Sequence, residues 1–377
     1  MKTVKLDSKH VYDVVVIGMG AAGVGVSVAL MHAGIENFVA LERYEVGASF
    51  DRWPAEMRFI TPSFPTNSVG MLDINSVAIG ASPAFGLQVE HPTGEQFADH
   101  LTGISDYYKL PIREHIDVSK IEKVDGLFQV STNAETVKAK HVIWAAGDFQ
   151  YPNMNGFAGS EHCRHIATVD SYADLEGEDF IVVGGYESGI DAAFHLSHRG
   201  KRVRVFDKNC PWEFQTSDPS VALSTYTLER MRTQAFNDHV SLYPETPIES
   251  VTRSGDTYEV TAFNGQSFQT GTPPLMAAGF TGSLTLVDDL FEKRENGFPA
   301  LNEQDESTIT PGLFLCGPSV SHDNQIFCFI YKYRQRFAVV AKTIATALGL
   351  PAEQLEMYRN WGMYLDDLSC CGEECVC

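Results

Sequence analysis

The sequence is short of positive charge. Its 377 residues carry 28 Lys and Arg against 49 Asp and Glu, a formal net charge of -21. Nucleic acids and anionic membrane surfaces are held by basic patches, so neither is an expected partner. Long apolar runs are missing too. Nothing approaches the roughly 20 consecutive apolar residues of a membrane span. Met1 to His10 contain no apolar segment of signal-peptide length. The expected location is the cytoplasm, where thiols stay reduced unless their disulfides are catalytic. Cysteine is sparse through most of the chain: Cys163, Cys210, Cys316 and Cys328 stand singly, and each is expected to be a small buried hydrophobe. The remaining composition is ordinary. With 44% hydrophobic and 20% charged residues, the chain can build two or three domains with sizeable cores.

What is present is a glycine signature written twice. Asp13-Val-Val-Val-Ile17 reads as a strand and leads into Gly18-x-Gly20-x-x-Gly23. A helix follows from about Gly20 to Ala33. A second strand, Asn37 to Leu41, closes on Glu42, 24 residues after Gly18. Gly18 permits the tight turn, Gly20 lets a pyrophosphate approach the backbone, and Gly23 lets helix and strand pack. The helix N-terminus offers unpaired N–H groups to the phosphates, and Glu42 is placed for ribose hydroxyls. The second copy is Phe180 to Val183, then Gly184-Gly185-Tyr186-Glu187-Ser188-Gly189, a helix from Ser188 to His198, and a strand Arg202 to Phe206 ending in Asp207-Lys208. Tyr186 stands where the middle glycine belongs and should crowd a pyrophosphate unless the turn is rearranged. Asp207 favours the ribose diol of NADH over the extra phosphate of NADPH, while Lys208 keeps NADPH open.

Each copy is followed by a strand ending in Ala-Ala-Gly: Val142 to Gly147, and Pro274 to Gly279. A whole domain plan is therefore repeated. The expected fold is α/β, with two Rossmann-like three-layer dinucleotide-binding domains, the second inserted in the first. The expected bounds are 1–155 with 275–350 for the first, 156–274 for the second, and 351–377 for a C-terminal helix and cysteine-rich tail. Between the motifs, residues 44 to 90 are irregular and expected to line a site. Thr93 to Leu110 reads as a helix with a Thr93/Gln96 capping box. Asp125-Gly126 signals a hairpin within 121–130, and another hairpin-like stretch spans Ile248 to Phe268. A strand from Gly312 to Gly317 precedes a long helix, about Asn324 to Leu348, and Pro351 opens a last helix to about Leu368. The final eight residues hold Cys370, Cys371, Cys375 and Cys377.

Over residues 11 to 348 this arrangement resembles the two-domain flavoproteins of the pyridine nucleotide-disulfide oxidoreductase superfamily. Within it the chain is similar to the thioredoxin-reductase-like, bacillithiol-disulfide-reductase-like and flavin-monooxygenase-like branch. The resemblance is carried by Gly18, Gly20, Gly23 and Glu42, by Arg58-Phe-Ile-Thr61-Pro62, by Ala145-Ala-Gly147-Asp-Phe149-Gln-Tyr-Pro152, and by Gly317 followed by Gln325-Ile326. It implies FAD on Gly18, Gly20, Ala22, Gly23, Glu42, Arg43, Phe50, Trp53, Thr61, Ala146, Gly147, Gly317, Gln325 and Ile326. It implies NADH or NADPH on Gly184, Gly185, Glu187, Ser188, Gly189, Asp207, Lys208 and Gly279, and a homodimer. In that family the last helix points its N-terminus at the flavin.

Departures from the family pattern shape the expected chemistry. Pro318 stands where an Asp usually follows the glycine, with Asp323 a candidate replacement. The stretch Thr168 to Tyr172 holds no cysteine pair, nor does Val46 to Trp53, so neither internal redox disulfide of the relatives is present. The monooxygenase fingerprint FxGxxxH is broken, with Cys163 in place of His. Hydride from the nicotinamide would then pass to a thiol or disulfide acceptor, a small molecule or a protein. The four terminal cysteines are the candidate catalytic relay. They are alternatively a soft-metal site for Zn or Cu(I), or a passive end. His322 and Cys328 flank the start of the predicted long helix as candidate proton or thiol groups. Two alternatives to a disulfide reductase are a flavin monooxygenase and a metal-handling or sensor flavoprotein.

Overall fold

The computed structural model describes residues 9–65, 72–216, 221–323 and 325–369. The described chain divides into two compact units, one of residues 9–51, 62–148 and 282–369, the other of 52–61 and 149–281. The crossings therefore fall at 148/149 and 281/282 rather than near 155 and 275.

The first unit begins with β1 (Val11–Ile17), α1 (Ala21–His32) and β2 (Phe38–Leu41). Val14, Val15 and Val16 are fully buried, which explains a valine run without alternation: a central parallel strand is covered on both faces. Helix α1 is apolar all round and buried from Ala21 to Leu30. A Cβ on Gly25 would lie 2.1 Å from the Phe337 ring, so this glycine sets how closely α1 is approached. Short helices α2 (Ala48–Asp51) and α3 (Pro83–Leu87) precede α4 (Gly94–Tyr108). The capping box forms as read: Thr93 Oγ1 accepts from Gln96 N at 3.0 Å, and Gln96 Oε1 accepts from Thr93 N at 2.9 Å. Strands β3 (Ile112–Arg113), β4 (Val118–Val124), β5 (Leu127–Thr132) and β6 (Val137–Trp144) follow. The β4–β5 turn has Asp125 and Gly126 at φ 51° and 82°, the left-handed pair expected of that hairpin.

The second unit holds β7 (Arg164–His165), β8 (Asp179–Val183), α5 (Glu187–Ser197), β9 (Arg202–Phe206), α6 (Thr225–Met231), α7 (Gln234–His239) and β10 (Val240–Tyr243). A three-stranded antiparallel sheet of β11 (Ile248–Ser254), β12 (Thr257–Ala262) and β13 (Ser267–Thr270) comes next, then β14 (Leu275–Met276). The parallel sheet runs β10-β9-β8-β14-β7. Residues 52–61 join this unit through Glu56, whose carboxylate accepts from Ser171 Oγ, Tyr172 N and Arg199 Nη2 at 2.9, 3.0 and 2.7 Å.

The chain then returns to the first unit with β15 (Leu313–Leu315), β16 (Ser321–His322), β17 (Gln325–Ile326), α8 (Ile330–Tyr333) and α9 (Phe337–Ala347). The first sheet is seven-stranded, in the order β3-β2-β1-β6-β5-β4, with β15 also on β6. Strand β6 pairs antiparallel with β5 through Val137 to Ala139, and parallel with β15 through Val142 to Trp144.

Two expected helices are corrected. The long helix 324–348 does not start at 324: Asp323, at φ 47°, lies in a tight antiparallel pairing of β16 with β17. Helix appears only at Ile330 and continues through a 3-10 turn at Arg334–Arg336. The last helix is 3-10, Ala352–Trp361, stopped by Gly362 at φ 63°. Its fully buried Leu355 and Tyr358 are three residues apart, the period of a 3-10 rather than an α-helix. Among the described residues no helix is long and apolar enough to cross a membrane.

Candidate functional site

In each unit the glycine turn sits at the carboxyl end of a central parallel strand, and the two turns share one geometry. Gly18 and Gly184 have φ 94° and 105°. A Cβ on either would collide with the Ala-Ala-Gly strand beside it, at 2.6 Å from Ala145 O and 2.4 Å from Ala277 O. A Cβ on Gly23 or Gly189 would lie 1.8 Å from the carbonyl of Gly18 or Gly184. The acid closing the next strand then binds the turn: Glu42 Oε2 accepts from Met19 N, and Asp207 Oδ2 from Gly185 N, both at 2.6 Å. The sequence repeat is thus a repeated set of contacts.

In the first unit, the carboxyl ends of β1, β2, β6 and β15 lie side by side in the parallel part of the sheet, the place where a crevice is expected. Gly20 is the N-cap of α1, no side chain caps that helix, and a Cβ there would meet nothing within 4 Å. The N–H groups of the first turn are therefore open to an anion. Gly317, at φ 119°, closes the far side, with its would-be Cβ 3.4 Å from Ala22. Glu42 is buried and holds a second N–H, that of Tyr44, at 3.0 Å. Burial raises its carboxyl above the usual range, and the backbone donors oppose that rise. Gly147, at φ 65°, gives its carbonyl to Ser283 N at 3.1 Å. Gln325 Oε1 and Ser321 Oγ, both in the β16–β17 pair, are buried without hydrogen-bond partners among the described residues. Such orphans are expected where a polar ligand belongs, and a dinucleotide with a polar ring edge fits this donor set.

Other expected residues are engaged in contacts of their own. Arg43 Nε pairs with Asp117 Oδ1 at 2.7 Å on a half-exposed face. Phe50 packs edge-on against Phe97, ring centres 4.9 Å apart. Trp53 and Thr61 belong to the second unit, where Trp53 packs on Phe59 and Phe149. Ile326 pairs with Ser321 in the hairpin. Asp323 is exposed. Asp148, just past β6, accepts from Ser319 Oγ, two residues beyond Gly317, at 3.1 Å, and burial pushes its carboxyl up.

In the second unit, a cavity of about 730 Å³ is lined by Gly184, Tyr186, Ser188, Gly189, Asp207 and Lys208, and by Gly279. Tyr186 caps α5 through its backbone only. Its hydroxyl donates to Ala222 O at 2.8 Å, which ties the ring to the segment leading into α6. Glu187 faces the same segment: its carboxylate accepts from Ser224 N and Thr227 Oγ1, each at 2.5 Å, and burial raises it. Trp212 was not expected here. A Cβ on Gly185 would lie 2.4 Å from its ring, so this glycine is required by a packed indole. Asp207 Oδ1 also holds Asn209 N at 2.7 Å, and Lys208 is exposed. Gly279, at φ 74°, accepts at its carbonyl from Asn153 N at 2.9 Å and from the ring nitrogen Nε2 of His165 at 3.1 Å.

The described cysteines are not an activated pair. Cys163, Cys210, Cys316 and Cys328 are not disulfide-bonded. Burial, with Glu161 beside it, pushes the Cys163 thiol up to about 12, and burial raises Cys316 well above its ordinary value. Cys316 is buried, and Cys163, partly buried, packs against the core of Ile181, Phe206 and Val260, so both fit the small-hydrophobe role, while Cys210 and Cys328 are only partly buried. Among the described residues no group of three or more His, Cys, Asp or Glu could hold a metal ion. Cys370, Cys371, Cys375 and Cys377 lie outside the described residues.

Known proteins share this plan. An uncharacterized CzcO-like oxidoreductase of Geobacillus kaustophilus is 27% identical over 193 residues, 50% of this chain and 52% of that protein. The chain thus spans about half the length of the first curated relatives it matches. The bacilliredoxin reductase Bdr of Bacillus subtilis is 24% identical over 339 residues, 88% of this chain and 97% of that protein. Among solved structures, the bacillithiol disulfide reductase Bdr of Bacillus cereus has the same fold, with a TM-score of 0.72 at 20% identity over 90% of this chain and 100% of that one. The pyridine nucleotide-disulphide oxidoreductase family matches residues 15–317, most of the length and both glycine turns. The chain belongs to that family of flavoprotein oxidoreductases.

Proposed function

We propose that this protein takes hydride from a nicotinamide dinucleotide onto bound FAD and passes the electrons to a thiol or disulfide acceptor. One observation carries the two-cofactor part. The acid-to-turn contacts Glu42–Met19 and Asp207–Gly185 are equal in length and in position, one in each unit. FAD would lie on α1, its pyrophosphate facing the N–H groups beyond Gly20 and its ribose on Glu42. Flavin supplies the two-electron exchange between hydride and acceptor. Gly317, Ala146 and Gly147 bound its crevice, and Gln325 offers it an unused buried oxygen. The nicotinamide dinucleotide would occupy the second unit's cavity, phosphates on α5 and adenosine ribose on Asp207. The Tyr186 hydroxyl holds its ring on the Ala222 segment, which supports an open turn despite the missing glycine.

NADH is the preferred donor in this reading. Asp207 is fixed by two backbone N–H groups and presents a carboxylate where NADPH would place its phosphate. NADH should win by roughly tenfold or more in kcat/KM, a difference of about 1.4 kcal/mol. Asp207→Ser should erase the preference; an unchanged NADH:NADPH ratio would refute the role of Asp207.

The acceptor side rests on the relatives' names and on the lack of an activated cysteine pair among the described residues. The terminal cysteines, in cis or from a second subunit of a homodimer, are the proposed relay, in the cytoplasm. The test is an anaerobic reductive titration of the full chain beside a chain ending at Ser369. Flavin alone takes about two electrons. More than two in the full chain, with the excess lost on truncation, supports the relay. Equal uptake removes it, and metal binding by the tail then becomes the leading account.

A further inference from the structure

We propose that the β7–β14 end of the second unit's cavity holds a nicotinamide ring against the faces of Phe280 and Phe149, and prefers its cationic, oxidised form. This rests on the nicotinamide reading above and deepens it. With its adenosine ribose on Asp207 and its phosphates on α5, a dinucleotide runs along the carboxyl ends of the parallel strands, from β9 past β8 to β14 and β7. Those three steps cover roughly 14 Å at about 4.8 Å each, within the reach of an extended dinucleotide. At the far end the cavity is lined by Met57, Phe149, Asn153, His165, Gly279 and Phe280. Two segments of the second unit build it. Asn153 N donates to Gly279 O and Thr281 N to Tyr151 O, each at 2.9 Å, and Pro152 bridges Phe280 in antiparallel fashion. The rings of the two segments meet: Phe149 and Phe280 have centres 5.4 Å apart, tilted by 36°. Trp53 backs Phe149 at 6.4 Å. Phe280 also meets the His165 ring at 5.7 Å, edge to face, yet keeps 40% exposure. An aromatic face held in place and left open beside a cavity is a surface for a flat ligand.

Charge decides which form of the ring this end takes. Of the described residues lining the cavity, only Asp207 and Lys208 bear charged side chains, both at the adenosine end. His165 is neutral here. Its Nε2 donates to Gly279 O at 3.1 Å and its Nδ1 accepts from Ala167 N at 3.1 Å, so a second ring proton would face an N–H. Burial also holds the imidazole below its usual range. The positive pyridinium of NAD+ therefore meets neither a carboxylate nor a second cation at this end, and the aromatic faces are its partners. A cation over a ring face is attracted by the ring's quadrupole, most strongly where water is excluded. Dihydronicotinamide is neutral and lacks that attraction. The preference is thus for product over donor: NAD+ is retained on the second unit after hydride has left it, and NADH must displace it.

The test is isothermal titration calorimetry on the full chain with FAD, in wild type, Phe280→Leu and Phe280→Trp. Three ligands are compared: NAD+, tetrahydro-NAD, whose ring is neutral and gives no hydride, and ADP-ribose, which has no nicotinamide ring. Wild type should bind NAD+ about tenfold more tightly than tetrahydro-NAD. Phe280→Leu should remove that margin and leave ADP-ribose binding unchanged. Phe280→Trp, with the stronger ring face, should keep the margin. Equal affinities for NAD+ and tetrahydro-NAD in the wild type, or a margin untouched by Phe280→Leu, would overturn the aromatic site. A loss in Phe280→Leu that ADP-ribose shares would overturn it too, because it marks a misshapen cavity. So would a margin lost in Phe280→Trp, which assigns the effect to shape rather than to the ring face. A wild type that binds none of the three ligands would sink the nicotinamide reading itself, whatever Phe280 does. Steady-state kinetics give a second readout. Competitive inhibition of NADH oxidation by NAD+ should weaken about tenfold in Phe280→Leu while inhibition by ADP-ribose holds, and a parallel fall in both would contradict the proposal.

Discussion

Gly20 and Gly23 are three residues apart and are glycine for opposite reasons. The space beside Gly20 is open, with φ -79° that any residue adopts. The space beside Gly23 is occupied by the Gly18 carbonyl at 1.8 Å. Gly23→Ala should therefore cost about 3 kcal/mol of stability, since backbone must move, and a thermal melt of the flavin-free protein reads this. Gly20→Ala should leave that melt unchanged and weaken FAD binding roughly tenfold, about 1.4 kcal/mol, because its methyl enters the space proposed for the pyrophosphate. If Gly20→Ala binds FAD normally, the phosphate position assigned here is wrong. At this scale the sequence was legible where one short motif carries the geometry. Gly18, Gly23, Gly184 and Gly189 stand at the tight turns and close approaches their spacing implied. It was silent where partners come from distant segments: Asp148 with Ser319, Trp212 under Gly185, and Asp305 with His322. Arg43 shows the converse, since its neighbour in sequence is the site acid while its ion pair is with Asp117.

Among the elements, those with a complete local signal were read correctly. Helix α4 starts at its capping box, and β1 is the buried valine run. Thr93→Ala should remove one cap bond and cost about 1 kcal/mol, lowering the midpoint by roughly 2–4 °C for a domain of this size. A differential scanning calorimetry trace with no shift would show that Gln96 alone holds the end. The stretch from 324 to 348 misled because apolar content cannot separate a hairpin, a 3-10 turn and a helix. Phe327 to Tyr331, Phe-Cys-Phe-Ile-Tyr, is apolar or aromatic at every position, so no face is marked. Three buried cations then follow at alternate positions, Lys332, Arg334 and Arg336. Arg334 spends its donors on the carbonyls of Asp73 and Ser76, and burial pulls it down to about 10. Side chains anchored to other segments, rather than helical period, shape this turn.

For the whole molecule, the net charge of -21 acts on a substrate that is itself anionic. Repulsion between the protein and a dinucleotide bearing two phosphates slows encounter at low salt. Raising ionic strength from 0.01 to 0.15 M shortens the screening length from about 30 to about 8 Å. kcat/KM for NADH should then rise about threefold with kcat little changed. A fall with added salt would mean that a local cationic patch, with Lys208 its nearest member, outweighs the global field. Composition made this expectation available without any knowledge of the fold.

The discontinuity of the first unit bears on how the chain is made. Strand β6 ends at Trp144, and its parallel neighbour β15 begins at Leu313. A ribosome must therefore build all of residues 149–281 before the first sheet can be completed. The second unit has its own contiguous core of Phe180, Val182, Val203, Val205 and Leu275 and nearly all of its residues in one stretch, so it can fold as it emerges. The first unit waits with an open edge along the carboxyl half of β6, and Gly317, a wall of the crevice proposed for the flavin, arrives directly after the strand that closes it. On that proposal flavin loading is a late event in biosynthesis, and a chain stalled before residue 313 would carry the second unit's fold without the proposed flavin site.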